Sequence, residues 1–308
     1  MRRSPGRMHA DEIDIDEDLV ANLIRSQFPH WGKLPIERVP SAGTDNALFR
    51  LGTELAVRLP RIPAAAGSLE KELEWLPRLA PLLPLAIPEP VGSGEPTDGY
   101  PLPWSVCRWL DGEVAHGQTV GDLSRFATDL GVFVRELRAI PVPADRVAPR
   151  SYRGGPLADR DDDTRAAIAE CRGLIDTELA LSAWQAALQT PPYDGPPRWL
   201  HGDLKPDNLL VRQGRLRAIL DWGVLSIGDP AVDQIIAWNF LTGAARQAFR
   251  SAVGADENSW ARGRGWALSI GLVALPYYQH TNPQLAAISE FQVRQVLADH
   301  AGPNPPVS

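Results

Sequence analysis

With 308 residues and 44% apolar content, the chain has enough material for one large domain or two moderate ones, and it is neither fibrous nor disordered. Its formal charge of −7 argues against nucleic acid as the main partner, because phosphate binding needs a clustered surplus of Lys and Arg. Mild acidity suits a cationic small molecule or plain solubility. Two cysteines, Cys107 and Cys171, make neither a disulfide framework nor a metal knuckle, and no apolar stretch reaches bilayer length. The expectation is a cytoplasmic protein with no membrane partner and no obligate protein partner.

The opening MRRSPGR carries an arginine pair, but acidic DEIDIDED follows it instead of an apolar stretch, which argues against an export signal. Residues 1–10 read as a disordered leader, with Met8 an alternative start. The first helix is expected to begin near Asp14 to Asp16, with Leu19, Leu23, Ile24 and Phe28 as its apolar stripe. Residues 36–59 then read as strands, with ALFRL and ELAVRL forming a hairpin about Gly52-Thr53. The polar SAGTDN before it has the composition of a mobile loop. A linker is expected over 60–67 and a helix over 69–79, ended or kinked by Pro77. IPEP, a Gly-rich turn and the extended WSVCRWL come next, closed by Asp111-Gly112.

Further helices are predicted over 122–139, 164–175 and 178–188, with an irregular segment over 141–156. Strands over 209–212 and 216–220 flank a turn at Gln213-Gly214. The remainder reads as helical, with a last helix over 285–300 and a disordered Pro-rich tail at 303–308. A β-rich first third and a helical remainder predict an α+β chain of two lobes. These are 11–106 and 112–302, joined at a hinge over 107–111, with a nucleotide site between them.

The densest chemistry lies in HGDLKPDN and LDWG. Phosphoryl transfer needs one carboxylate to orient and deprotonate a hydroxyl, and oxygen ligands to hold Mg2+ on the phosphates. Asp203 and Asn208 share one short loop stiffened by Pro206, and Asp221 ends the paired strand of the hairpin, which can bring it beside Asn208. A carboxylate and an amide carbonyl are hard donors that suit magnesium better than zinc. Lys205 adds positive charge near a transferring phosphate.

The segment HGDLKPDNLLV…AILDWGVLSIGDPAVD resembles the catalytic core of the aminoglycoside phosphotransferase family, which has a protein-kinase-like fold. The family pattern of HGDxxxxN, a strand ending in D-x-G, and D-P-x-x-D is present in order, and the resemblance covers nearly the whole chain. It implies Asp203 as catalytic base, His201 as support of the loop, and Asn208 and Asp221 as magnesium ligands. It places ATP or GTP in the site and a small-molecule hydroxyl as acceptor, an aminoglycoside or another antibiotic, or else a housekeeping metabolite. Arg58 in LAVRLPR stands where such kinases carry a phosphate-binding Lys, and its partner is Glu72, with Glu70 the alternative. Ser41 and Thr44 belong to the loop expected to cover the phosphates. Arg108 to Leu110 are expected to offer backbone groups to the purine, with Trp109 as a wall.

Other residues read as scaffold. Asp229-Pro230 suits an N-cap followed by Pro at the first helical position, with Val232, Ile235, Ile236 and Phe240 facing inward, and Asp233 is expected to brace the catalytic loop. The acidic run Asp159 to Asp163 reads as a helix start in preference to a patch for amines. Trp238, Trp260, Trp266, Tyr277 and Tyr278 read mostly as core, and both cysteines as small apolar residues. A protein kinase is disfavoured, because only seven residues lie between Asp221 and Asp229, too few for a peptide-binding activation segment. A catalytically inactive nucleotide-binding module is the remaining alternative. The arginine at 58 favours it, and the intact Asp203, Asn208 and Asp221 oppose it.

Overall fold

The computed structural model describes residues 13–40, 46–144, 147–279 and 281–302. The expected leader and tail, and the loop residues Ser41 and Thr44, lie outside them. The chain divides into two compact units, Met1–Gly112 with Ala218–Gly223, and Glu113–Arg217 with Val224–Ser308.

In the first unit, Asp16 accepts the Leu19 amide at 2.8 Å and caps α1 (Glu17–Gln27), whose Val20, Leu23 and Ile24 are buried. The strands β1 (Ile36–Val39), β2 (Asn46–Leu51), β3 (Leu55–Pro60), β4 (Pro90–Gly94) and β5 (Trp104–Arg108) form one antiparallel sheet in the order β1-β2-β3-β5-β4. Ala47, Phe49 and Leu51 alternate inward along β2 and meet Val57, Leu59, Trp104 and Val106 in the core.

Two expectations change here. Helix α2 (Pro63–Leu79) takes in most of the expected linker: Pro63 at its first turn has no needed amide to lose, and alanines follow. Pro77 sits in its last turn, and the chain passes into a 3-10 turn over Ala80–Leu82. The Gly-rich segment taken for a turn is strand β4, because a Cβ at Gly94 would lie 2.0 Å from the Trp104 ring. Only glycine lets that strand lie against the indole.

The second unit carries β6 (Glu113–Val114), α3 (Leu123–Ala139), α4 (Asp161–Glu170), α5 (Thr177–Leu188), β7 (Arg198–Leu200), β8 (Leu209–Arg212), the start of β9 (Arg215–Ile219), β10 (Ser226–Gly228), α6 (Ile236–Asn239), α7 (Gly243–Val253), α8 (Glu257–Gln279) and α9 (Pro283–Ala301). Helices α3 and α7 approach closely at Gly131, where a Cβ would lie 2.7 Å from that of Ala252. Helix α4 starts earlier and ends sooner than expected, with Asp161 to Asp163 in its first turn, where carboxylates suit the helix dipole. Asp229 accepts the Ala231 amide as expected, but the cap opens a 3-10 segment, Pro230–Ile235, before the short α6. Trp238, Trp266 and Cys171 are fully buried and Trp260 nearly so, whereas Tyr277 is exposed. No helix among the described residues is long and apolar enough to cross a membrane.

Candidate active site

The loop between β7 and β8 is shaped from within the second unit. Asp233 accepts the amides of His201 at 3.0 Å and Gly202 at 2.7 Å, one on each carboxylate oxygen. His201 Nδ1 accepts the Asp203 amide at 3.1 Å, and Gly202 takes a φ of 82° that glycine adopts without strain. The chain is thus turned so that Asp203 leaves the β7–β10 pair with its carboxylate inside the unit. Burial pushes the Asp233 carboxyl up, against the two amides that it accepts.

Asn208 Nδ2 donates to the Asp203 carbonyl at 2.8 Å and to Asp203 Oδ2 at 3.2 Å. With the amide nitrogen so engaged, Asn208 Oδ1 is left as the hard oxygen donor of the side chain. Lys205 Nζ lies 2.9 Å from Asp203 Oδ2. These contacts gather Asp203, Lys205, Asn208 and His201 into one cluster.

The sequence reading missed Arg153, in the irregular segment after α3. Its Nη1 pairs with Asp203 Oδ1 and also donates to the Gly202 carbonyl at 2.6 Å, while Nε donates to Tyr152 Oη at 2.9 Å. The segment is held by Gly154, whose carbonyl accepts the Asp229 amide at 2.8 Å, and by Ser226 Oγ, which donates to the Arg153 carbonyl at 3.2 Å. The only local signal was Arg-Gly-Gly within a stretch otherwise rich in Pro. Burial works against a charge on Asp203, but Arg153 and Lys205 outweigh it and hold the carboxyl well below the usual range. Arg153 is likewise penalised by burial and raised by Asp203.

In the first unit, Arg58 on β3 pairs with Glu72 on α2, while Glu70 is exposed. Arg58 Nη2 also lies 3.5 Å from Asp221 Oδ1. Burial lowers the Arg58 pKa, but Glu72 and Asp221 raise it further; burial pushes Glu72 up against Arg58. Asp221 has a φ of 59°, a left-handed conformation that is costly for a residue with a Cβ and is concentrated at functional sites. Two contacts fix this segment: Lys71 Nζ donates to the Gly223 carbonyl at 2.5 Å, and the Ile219 amide donates to Ala86 at 2.9 Å.

The expected purine contacts are only partly open. The amides of Arg108 and Trp109 are spent on the carbonyls of Glu89 and Glu54, at 2.9 and 2.7 Å, because the chain is still paired there. Trp109 is covered by Arg50, 4.7 Å from its ring, and its Nε1 donates to Asp111 at 3.0 Å. The Leu110 amide makes no hydrogen bond among the described residues.

No cluster of three or more His, Cys, Asp or Glu among the described residues could hold a metal on its own. Magnesium does not require one: it takes one or two protein oxygens and fills its octahedron with phosphate and water. Asn208 Oδ1 and the half-exposed Asp221 carboxylate are donors of that kind.

A strained aspartate beside an Arg–Glu pair, together with an HGD loop ending in Asn, is the residue set of kinase-like phosphotransferases. A model of the phosphotransferase enzyme family matches residues 37–266, and the chain belongs to that family. An aminoglycoside 3'-phosphotransferase from Escherichia coli is 30% identical over 145 residues, 43% of this chain and 52% of that protein, so the match spans about half of that relative. Among solved structures, a GDP complex of a mutant aminoglycoside 2'-phosphotransferase-IIIa superposes with a TM-score of 0.74 at 22% identity, covering 93% of this chain and 99% of that one. The macrolide 2'-phosphotransferase MphH from Brachybacterium faecium, as apoenzyme, gives 0.57 at 24% identity, covering 88% and 97%. The fold is therefore α+β of the protein-kinase-like class, with an antiparallel sheet in the first unit and a helical second one.

Proposed function

We propose that the chain is a small-molecule kinase that moves the γ-phosphate of ATP or GTP onto a hydroxyl of its acceptor in the cytoplasm. The observation that carries this reading is Asp203, an ionised carboxylate with Lys205 on one oxygen and the Asn208 amide fixed beside it. Similar structures hold GDP, ATP or ADP, which supports a nucleotide donor.

In this reading Arg58, held by Glu72, takes the phosphate oxygens that a lysine takes in related kinases, and it never loses its charge. Asn208 and Asp221 would supply oxygens to Mg2+, which would offset phosphate charge when bound. Asp203 lies too far below the usual range to strip a free alcohol of its proton. Its work is to orient the hydroxyl and to take the proton late, as a loose phosphoryl transfer permits. His201 and Asp233 hold the loop for that task. Ser41 and Thr44 remain proposed for the phosphate loop and Leu110 for the purine. An antibiotic hydroxyl is the acceptor to which the names of the relatives point.

The test is Mg2+-dependent nucleotide turnover against aminoglycosides, macrolides and small alcohols, with Asp203→Ala as control. Acceleration by one compound, abolished in the control, supports the kinase. Equal turnover in both proteins removes Asp203 from the reaction.

A further inference from the structure

Asp203 is bracketed by two cations. Arg153 Nη1 holds Oδ1 and Lys205 Nζ holds Oδ2 at 2.9 Å, so one negative charge faces two positive ones. Arg153 is fixed independently of the base: it bonds to the Gly202 carbonyl and Tyr152 Oη, its guanidinium lies 5.5 Å from the Tyr152 ring, and its side chain is 13% exposed. Among the described residues, Nη2 of the same guanidinium has no hydrogen-bond or ion-pair partner. A spare N–H pair on a rigid cation beside the base is a binding group for an oxygen, and it repels an ammonium.

Two carboxylates close to Arg153 in the sequence are already engaged. Asp161 binds Trp184 and Arg165 at 2.8 and 2.7 Å, and Asp163 binds Arg160 at 2.6 Å. Asp159 and Asp162 of the same run are exposed and have no such partner among the described residues.

We infer that Arg153 is a specificity-determining residue that selects acceptors with an oxygen group (hydroxyl, carboxylate or phosphate) next to the reacting hydroxyl and rejects those with an ammonium there. This rests on the kinase reading for the place of the hydroxyl, and it narrows the acceptor away from polycationic aminoglycosides. Hydrogen bonds to a charged donor are among the stronger ones, so discrimination of about tenfold or more is expected.

The test uses the full chain loaded with Mg-ADP and a matched set of sugars, glucose, glucuronate and glucosamine, with kanamycin added. Binding is measured by calorimetry, and Mg-ATP turnover is measured in parallel with Asp203→Asn as control. Glucose and glucuronate should bind more tightly than glucosamine and kanamycin. Arg153→Gln should erase that order, and Arg153→Lys, which keeps the charge, should restore the rejection of amines. Glucose against glucuronate tells whether the oxygen group is neutral or anionic. Amines bound as well as glucose, an order unchanged in Arg153→Gln, or no binding by any of the four overturns the inference. Turnover that is absent, or unaffected by Asp203→Asn, instead defeats the kinase reading, while the binding order still decides the role of Arg153.

Discussion

Arg58 Nη2 lies 3.5 Å from Asp221 Oδ1, although 163 positions separate the two residues. The same guanidinium carries the buried Glu72, whose Oε1 has no hydrogen-bond partner among the described residues. One arginine thus compensates a buried carboxylate and meets the strained aspartate, which a lysine's compact charge does less well.

Removing it should therefore be costly. Arg58→Met leaves Glu72 buried and unpaired, and urea melts should show a loss of about 3–5 kcal/mol. Adding Glu72→Leu should recover most of that loss without restoring nucleotide binding. A single variant as stable as wild type would show that Glu72 is neutral in the folded protein.

Asp203→Asn should fold yet lose turnover by about 10²–10⁴-fold, the range for a positioned proton acceptor. Its pH signature has a definite sign. Asp203 is lowered from an ordinary value of 3.8, so its contribution to stability is full above that value and is lost as pH falls through the folded value. The gap between wild type and variant in urea melts should be flat near neutrality and shrink below pH 3.8. A gap that widens on acidification would contradict the pairing with Arg153 and Lys205.

Asp233→Asn replaces one acceptor oxygen with an amide nitrogen facing the His201 or Gly202 N–H. A buried donor left unmatched costs about 1–3 kcal/mol. Melting should drop by that amount, and turnover should fall although Asp233 meets no substrate. Unchanged turnover would remove it as the brace of the loop.

Gly228→Ala probes the segment that holds Arg153. A Cβ there would lie 2.2 Å from the Gly154 carbonyl oxygen, which is backbone and cannot swing aside. The expected result is a loss of about 1–3 kcal/mol from overpacking, with Arg153 displaced and acceptor discrimination weakened. Wild-type stability together with intact discrimination would show that the two segments part at little cost.

The sequence alone determined the features whose partners are close along the chain. Asp203 and Asn208 are five positions apart on a loop with one proline, so chain length brings them into contact. The β2–β3 hairpin, the Asp16 cap and strand β8 follow from alternation and turn chemistry over similarly short spans. Packing decided the rest. Glu70 and Glu72 stood open as partners of Arg58, because residues two apart on a helix point about 200° away from each other and only the docking of α2 selects one. The amides of Arg108 and Trp109 read as free because the partners that consume them, Glu89 and Glu54, are set by strand pairing. Arg153 reaches Asp203 across 50 positions and Asp233 reaches Gly202 across 31. Such pairs leave no periodicity or spacing in the sequence; they form where folding buries opposite charges, or a carboxylate and an amide, at the same point, and that point exists only in three dimensions.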